Sequence, residues 1–454
     1  MDHNIHTYIA PGRRAHLVGI GGVSMSPLAE VLHGAGMVIT GSDMREGTAV
    51  AHLRSLGIPV AIGHREENVG DAELVIRTAA VHDSNPEIAA ARARGIPVFE
   101  RAQAWGAIMK GYQNALCISG THGKTTTTSM ITSMLELAGR DPAAVIGGKL
   151  PLIGGYGKAG KGNCIVIEAC EYAETFLKLT PDIAVLLNID NDHLDYYGTM
   201  GQLKFAFKKF ALMATHTIVA NADDEGVIQI INSIDRNVRT FGIQKGADYQ
   251  AVNIREYKPG FYEFDVTEWE MPYAHLRLGA PGYHNIYNAL AMVSCSRLLG
   301  LTPGDAEAAA QDFKGAGRRF EILGEISGVT IADDYAHHPT EVAATLSTAK
   351  KLGFKRVWAV HQPFTYSRTK ALLDEFALVL RAADKVVLTP IMGSREVDDG
   401  SVKTADLAAK VPGSVEVAGL REAAEYIKAH AEPGDFVITL GCGDVYKAAR
   451  MMLE

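Results

Sequence analysis

The chain has 454 residues, 47% of them hydrophobic, and a formal charge of −8. One hydrophobic core stops growing at about 250–300 residues, so two or three domains are expected, and the acidic balance argues against nucleic acid as the default partner. The five cysteines are scattered without a C-x-x-C pair. No apolar run approaches the ~18–20 residues of a membrane span, and no charged stretch leads into an apolar one at the N-terminus. A soluble protein of the reducing cytoplasm is expected.

The first segment opens with the apolar strand His16-Leu-Val-Gly-Ile-Gly-Gly22, a helical pattern over Leu28–His33, and a second strand ending at Ser42-Asp43. This is a β-α-β unit with glycines at its first turn and an acidic residue after its second strand, although the glycines at 19, 21 and 22 do not satisfy G-x-G-x-x-G. Strands at Leu74-Val-Ile-Arg and Pro97-Val-Phe-Glu continue the alternation.

Next comes Ala115-Leu-Cys-Ile-Ser-Gly-Thr-His-Gly-Lys124-Thr125, an apolar strand, a glycine-bounded turn and a helix start. Glycines let backbone N–H groups converge on phosphate oxygens, the helix N-terminus adds partial positive charge, Lys124 adds a full one, and the Thr125 hydroxyl suits Mg2+. Only two residues separate Gly120 from Gly123, so the turn departs from G-x-x-x-x-G-K-[ST]. Near-continuous apolar strands at Cys164–Ala169, Ile183–Ile189 and Thr217–Ala222 predict a parallel sheet covered on both faces. Between Tyr249 and Leu278 the pattern alternates, predicting antiparallel strands that extend that sheet. A helix over about 285–299 leads to Lys314-Gly-Ala-Gly-Arg-Arg319, read as a linker. A last α/β layer follows, with strands at Thr330, Val357, Lys385 and Asp435 and a helix near 340–352.

Four constellations carry chemistry. Glu168 closes a strand and is placed either to share Mg2+ with Thr125 or to stand as a solvated charge. Asn188-Ile-Asp-Asn-Asp-His193-Leu-Asp195 crowds like charges, as a cation site or as a turn rich in Asx residues. Asp334-Tyr-Ala-His337-His338-Pro339 presents imidazole to an anion or caps a helix. His361-Gln-Pro-Phe-Thr-Tyr-Ser-Arg368 offers an arginine for a carboxylate or phosphate.

Together and in this order, these segments resemble the Mur ligases, the ATP-dependent amide-forming enzymes of peptidoglycan precursor synthesis. The resemblance also rests on His284-Asn285-Ile-Tyr-Asn288, Gly317-Arg-Arg-Phe320 and Gly441-Cys-Gly-Asp444, and it covers nearly the whole chain. The turn Gly120-Thr121-His122-Gly123-Lys124-Thr125-Thr126 has the form G-T-x-G-K-[ST] that this family uses. The resemblance implies three α/β domains: a Rossmann-like one at 1–111 for a UDP-sugar, a central P-loop ATPase at 112–316 with a small antiparallel extension, and a Rossmann-like one at 317–454 that closes over ATP and binds the amino acid.

It further implies that ATP phosphorylates the lactyl carboxylate of UDP-N-acetylmuramate and that L-alanine attacks the acyl phosphate. A ligase joining the same sugar to a murein tripeptide, and a catalytically silent UDP-sugar-binding protein, are the competing readings. Carried over residue by residue, Gly120 to Thr126 would hold ATP, with Lys124 on the terminal phosphates. Thr125, Glu168 and His193 would serve Mg2+. His284, Asn285 and Asn288 would approach the adenine, and Arg319 and Asp334 the nucleotide. His337, His338 and Arg368 would receive the alanine carboxylate or the acyl phosphate. Gly21, Gly22, Ser26, Ser42 and Asp43 would hold the UDP part.

Three segments depart from the family pattern: Val23 to Pro27 is poorer in glycine, Cys170 stands where many members have aspartate, and Thr365 where many have arginine. Lys208 or Lys209 lies about where related ligases carry a carbamylated lysine. A monomer or weak homodimer is expected.

Overall fold

In the computed structural model, which describes residues 4–78, 80–394 and 396–454, the first hundred residues form five strands: β1 (Arg14–Val18), β2 (Val38–Asp43), β3 (Val60–Ile62), β4 (Leu74–Arg77) and β5 (Val98–Glu100). They are parallel throughout and ordered β3-β2-β1-β4-β5. In such a doubly wound sheet ligands bind outside the carboxyl ends of the strands, and this edge carries the glycine turn after β1. Helices α1 (Met25–Gly34), α2 (Thr48–Ser55) and α3 (Pro86–Ala93) connect β1 to β2, β2 to β3 and β4 to β5, and α4 (Arg101–Met109) follows β5. Helix α3 starts where its sequence dictates, with the Asn85 side chain capping the N–H groups of Glu87 and Ile88 and Pro86 in the first turn.

The second sheet contains β6 (Asn114–Ser119), β7 (Ala143–Leu150), β8 (Gly155–Lys158), β9 (Cys164–Glu168), β10 (Ile183–Leu186), β11 (Thr217–Asn221) and β12 (Val238–Gly242). Its order is β8-β7-β9-β6-β10-β11-β12, parallel except for β8. Strand β6 therefore lies between β9 and β10, and their carboxyl ends flank the turn that leads into α5 (Lys124–Leu137). Four successive threonines are a poor helix start by propensity. Here the Thr128 and Thr132 hydroxyls donate to the carbonyls four residues back, at 2.8 Å each, which satisfies them inside a buried helix.

The alternating segment forms β13 (Tyr249–Lys258), β14 (Phe261–Glu268) and β15 (Met271–Arg277), with β14 and β15 antiparallel as expected. The last layer holds β16 (Glu321–Ile326), β17 (Val329–Asp334), β18 (Val357–His361), β19 (Lys385–Leu388), β20 (Val415–Glu416) and β21 (Phe436–Leu440), in the order β16-β17-β21-β18-β19-β20. It is parallel apart from β16. Strand β13 pairs with β12 from Phe241–Tyr249 onward, and β14 and β15 continue the hydrogen-bonded order of the second sheet, as the alternating pattern predicted. By packing, the chain divides into two compact units, residues 1–250 with 291–309 and residues 251–290 with 310–454. Among the described residues no helix is long and apolar enough to cross a membrane.

Candidate active site

In the first unit the turn after β6 is shaped by its glycines. Gly120 has φ +150° and Gly123 φ +83°, and a Cβ at Gly120 would lie 2.8 Å from the Leu187 Cβ. The turn is also tied to the segment after β10. Asn188 Oδ1 accepts from the His122 N–H at 2.8 Å, Thr121 Oγ1 accepts from the Asp190 N–H at 2.9 Å, and His122 Nε2 lies 2.9 Å from Asp190 Oδ2. Part of the acidic segment 188–195 thus serves as a brace for the loop.

Lys124 is held from three sides. Its Nζ donates to the Gly120 carbonyl at 2.5 Å, to the Thr121 carbonyl at 3.0 Å, and pairs with the buried Glu171 carboxylate at 2.9 Å. Burial pulls the Lys124 pKa down, but Glu171 more than reverses this, and the amine stays charged. Beside it, Thr125 Oγ1 donates to Glu168 Oε1 at 3.0 Å, while the Gly147 N–H donates to Glu168 Oε2 at 2.6 Å. A Cβ at Gly147 would stand 2.6 Å from that carboxylate, so any side chain there would displace Glu168. The hydroxyl and carboxylate of Thr125 and Glu168 are the hard oxygen donors that suit Mg2+.

His193, in the left-handed conformation at φ +59°, has its Nε2 3.7 Å from Glu171 Oε1 and 3.6 Å from Asp192 Oδ2, so it joins the cluster through Glu171. The Tyr197 hydroxyl fixes Glu171 further by donating to its backbone carbonyl. Thr126 completes the first turn of α5, half-buried. Lys209 pairs with Glu174 at 3.3 Å and Lys208 reaches the Ser233 carbonyl at 3.2 Å.

The five N-terminal candidates also meet. Gly21 N–H donates to Asp43 Oδ2 at 2.9 Å, Gly22 N–H to the Gly19 carbonyl, and the Ser26 N–H to the Gly22 carbonyl. The Ser42 hydroxyl is buried and donates to Glu87, leaving the turn facing the sheet edge to the backbone and Asp43.

In the second unit, Asn285 and Asn288 are buried and joined at 2.9 Å, at the start of the helix Asn285–Leu298. Tyr283, His284 and Tyr287, with Tyr262, Thr348 and Lys351, line a cavity of about 270 Å3, a slot whose aromatic walls fit a planar base. Asp334, at the end of β17, accepts from the Phe320 and Ala336 N–H groups at 2.7 Å each. Burial raises its pKa to about 6 against the opposing pull of Arg319. The Arg319 guanidinium lies 4.9 Å over the Tyr335 ring. Its neighbour Arg318 is an anchor instead, bonded to Asp333 and to the Gly441 and Gly443 carbonyls.

His337 N–H donates to Glu341 at 3.0 Å. His338 caps the helix Pro339–Lys351, its Nδ1 accepting from the Thr340 N–H at 3.3 Å, so the capping alternative for this turn describes that nitrogen. Thr365 caps the short helix that carries Arg368.

His361, at the end of β18, is 1% exposed, neither ring nitrogen has a well-formed hydrogen-bond partner among the described residues, and the Phe376 ring packs on it at 5.2 Å. Burial, opposed by the Leu440 backbone and helped by His337, lowers its pKa from 6.5 to about 4. The unfolded chain therefore takes up this proton first, and stability falls as pH drops from about 6.5 to about 4, by about 3 kcal/mol in all. His361→Phe is expected to raise stability at pH 7 by about 1–2 kcal/mol, because it removes a buried polar ring without a well-formed hydrogen bond, and to flatten the acid limb. Urea midpoints at pH 7 and pH 5 check both effects; midpoints equal to those of the unaltered protein would mean the ring is not a buried liability.

Gly147 is a site residue that sequence reasoning passed over, and Glu171, part of the Glu168-Ala-Cys-Glu171 segment that carries the family resemblance, is one to which it gave no role. An acidic residue three positions beyond Glu168 was a visible signal for Glu171. Nothing local marked Gly147.

Three family models match the chain in succession: the Mur ligase family catalytic domain over residues 14–113, the Mur ligase middle domain over 118–296 and the Mur ligase glutamate ligase domain over 318–443. A UDP-N-acetylmuramate–L-alanine ligase from Caldanaerobacter subterraneus subsp. tengcongensis is 42% identical over 97% of both chains. The crystal structure of the UDP-N-acetylmuramate-alanine ligase MurC from Thermotoga maritima is 30% identical, with a TM-score of 0.82 over 97% of this chain and 98% of that one. A murein peptide ligase from Psychrobacter arcticus, 24% identical with a TM-score of 0.75 over 97% of this chain and 98% of that one, shares the fold.

Proposed function

Because the chain belongs to the Mur ligase family, we infer that it joins L-alanine to the lactyl carboxylate of UDP-N-acetylmuramate at the expense of ATP, a step of peptidoglycan precursor synthesis in the cytoplasm. The observation that carries this reading is the intact Lys124–Glu171 and Thr125–Glu168 pairing around the Gly120–Gly123 turn, in a chain 42% identical to an L-alanine ligase over nearly all its length.

A carboxylate accepts an amine poorly because its oxygen is a bad leaving group. ATP transfers its terminal phosphoryl group to that oxygen, giving an acyl phosphate and ADP. The neutral amine of L-alanine then adds to the carbonyl carbon, the C–O bond to phosphate breaks, and the ammonium proton is lost to solvent. No side chain needs to act as a nucleophile; the protein contributes orientation and charge. Lys124 and the α5 N-terminus stabilise charge on the terminal phosphates. Thr125 and Glu168 are placed to hold Mg2+, which when bound would offset phosphate charge, and His193 stands beside them through Glu171. The slot beside His284 suits the adenine. Arg319 and Asp334 belong to the nucleotide, and His337, His338 and Arg368 to the alanine carboxylate or the acyl phosphate.

Phosphate release measured with UDP-N-acetylmuramate, ATP and either L-alanine or L-Ala-γ-D-Glu-diaminopimelate tests the reading. Turnover with L-alanine is expected. Turnover with the peptide alone would overturn the choice of amine, and no turnover with either would overturn the enzyme. Arg368→Ala is expected to raise the KM for L-alanine on the order of 10- to 100-fold with the KM for ATP within about twofold, as loss of a bidentate carboxylate partner predicts. An unchanged alanine dependence would move that carboxylate elsewhere.

A further inference from the structure

The carboxyl edge of the first sheet is organised around a buried carboxylate that the assignments above leave unused. Glu87, in the first turn of α3, is 0% exposed. Its Oε2 accepts from the Ser42 hydroxyl at 2.6 Å and lies 3.4 Å from both His16 Nε2 and His64 Nδ1. Its Oε1 accepts from the Asn68 amide at 2.5 Å and the Arg65 N–H at 3.3 Å. Burial would make this carboxyl hard to ionise, yet the bonds from His16, Ser42 and Asn68 hold its pKa at about 2.

Each partner sits on a strand end or loop bordering the glycine turn. The Ser42 carbonyl accepts from the Gly19 and Ile20 N–H groups at 2.8 and 3.0 Å. Asp43, the next residue, takes the Gly21 N–H on its side chain and the Gly63 N–H on its carbonyl. Asn68 closes the turn after β3 by donating to the Gly63 carbonyl at 3.0 Å as well as to Glu87.

The proton count fixes one more feature. A hydroxyl has one proton, and that of Ser42 goes to Glu87, so the 3.0 Å contact between Ser42 Oγ and His64 Nδ1 requires the imidazole to donate. His64 therefore carries a proton on Nδ1.

We propose that Glu87 is a positioning residue of the UDP-sugar site: through Ser42, Asn68 and His64 it sets the turn after β1, the end of β2 and the turn after β3 as one preformed surface. The proposal rests on the reading that this sheet edge binds the UDP-sugar. A glutamine at this position cannot reproduce the arrangement. The carboxylate accepts on both oxygens, whereas an amide must turn its NH2 toward either the Ser42 and His64 donors or the Asn68 and Arg65 donors.

In the full chain, Glu87→Gln is expected to weaken UDP-N-acetylmuramate binding, measured by calorimetry, at least about tenfold, to leave ATP binding within about twofold, and to shift the His64 ring 15N resonances away from the Nδ1–H pattern. Unchanged sugar affinity and unchanged His64 resonances in the folded variant would overturn the proposal. Failure of the unaltered protein to bind UDP-N-acetylmuramate would instead sink the reading on which it rests. Should Glu87→Gln not fold, Asn68→Ala, at a residue outside the candidate sugar contacts, breaks the link between Glu87 Oε1 and the turn after β3. A several-fold loss of sugar affinity is then expected, and none would overturn the proposal.

Discussion

Replacing Lys124 by alanine is expected to slow ligation at least about a thousandfold, the scale of removing a charge that acts on the transferred phosphoryl group, while UDP-N-acetylmuramate binding stays within about twofold. The residues proposed for the sugar cluster at the carboxyl edge of the first sheet, and Lys124 is on α5 after β6, so the substitution does not touch them. It does leave Glu171, 1% exposed, without its counter-ion. Stripping one partner from a buried pair costs about 3–5 kcal/mol, so the thermal midpoint should also drop. The companion variant Lys124→Met with Glu171→Gln separates the two effects. Removing both charges should restore much of the stability and none of the activity, because the missing cation is what the phosphates require. Normal turnover by Lys124→Ala would end the phosphate-loop reading, and recovery of turnover in the double variant would assign the defect to folding.

Much of this arrangement was legible because its signals are local. The runs Cys164–Glu168, Ile183–Leu186 and Thr217–Asn221 are apolar nearly without interruption, and all three are parallel strands of one sheet. The segment Phe261–Arg277 alternates and is an antiparallel pair. Contacts between residues far apart in the chain were not legible. Glu171 reaches Lys124 across 47 positions and Glu87 reaches Ser42 across 45, and no periodicity records such a meeting. Strands β7 and β8 escaped notice for a compositional reason: Gly147, Gly148, Gly155 and Gly157 dilute the apolar pattern by which a strand is recognised. Asp43 shows a subtler gap: the Gly21 N–H donates to its carboxylate across 22 positions, a tie that no local pattern records.

The same distance problem hides the consequence of changing Glu168, whose two oxygens serve different elements: Oε1 takes the Thr125 hydroxyl of α5 and Oε2 the Gly147 N–H of β7. Glu168→Gln keeps the shape and removes the charge. If Glu168 and Thr125 hold Mg2+, a neutral amide in place of a carboxylate should weaken the ion at least about tenfold and slow ligation on the order of 100- to 1000-fold. The discriminating measurement is ATP binding with and without Mg2+. In the unaltered protein Mg2+ should tighten ATP binding; in Glu168→Gln that increment should shrink, while metal-free binding, which rests on Lys124 and the Gly120–Gly123 backbone, stays the same. The sign of a purely structural role would differ. Loss of the Gly147 and Thr125 bonds would disturb the loop and weaken metal-free ATP binding as well. A variant with the full Mg2+ increment would remove Glu168 from the metal site and leave it as the tie between β7 and α5.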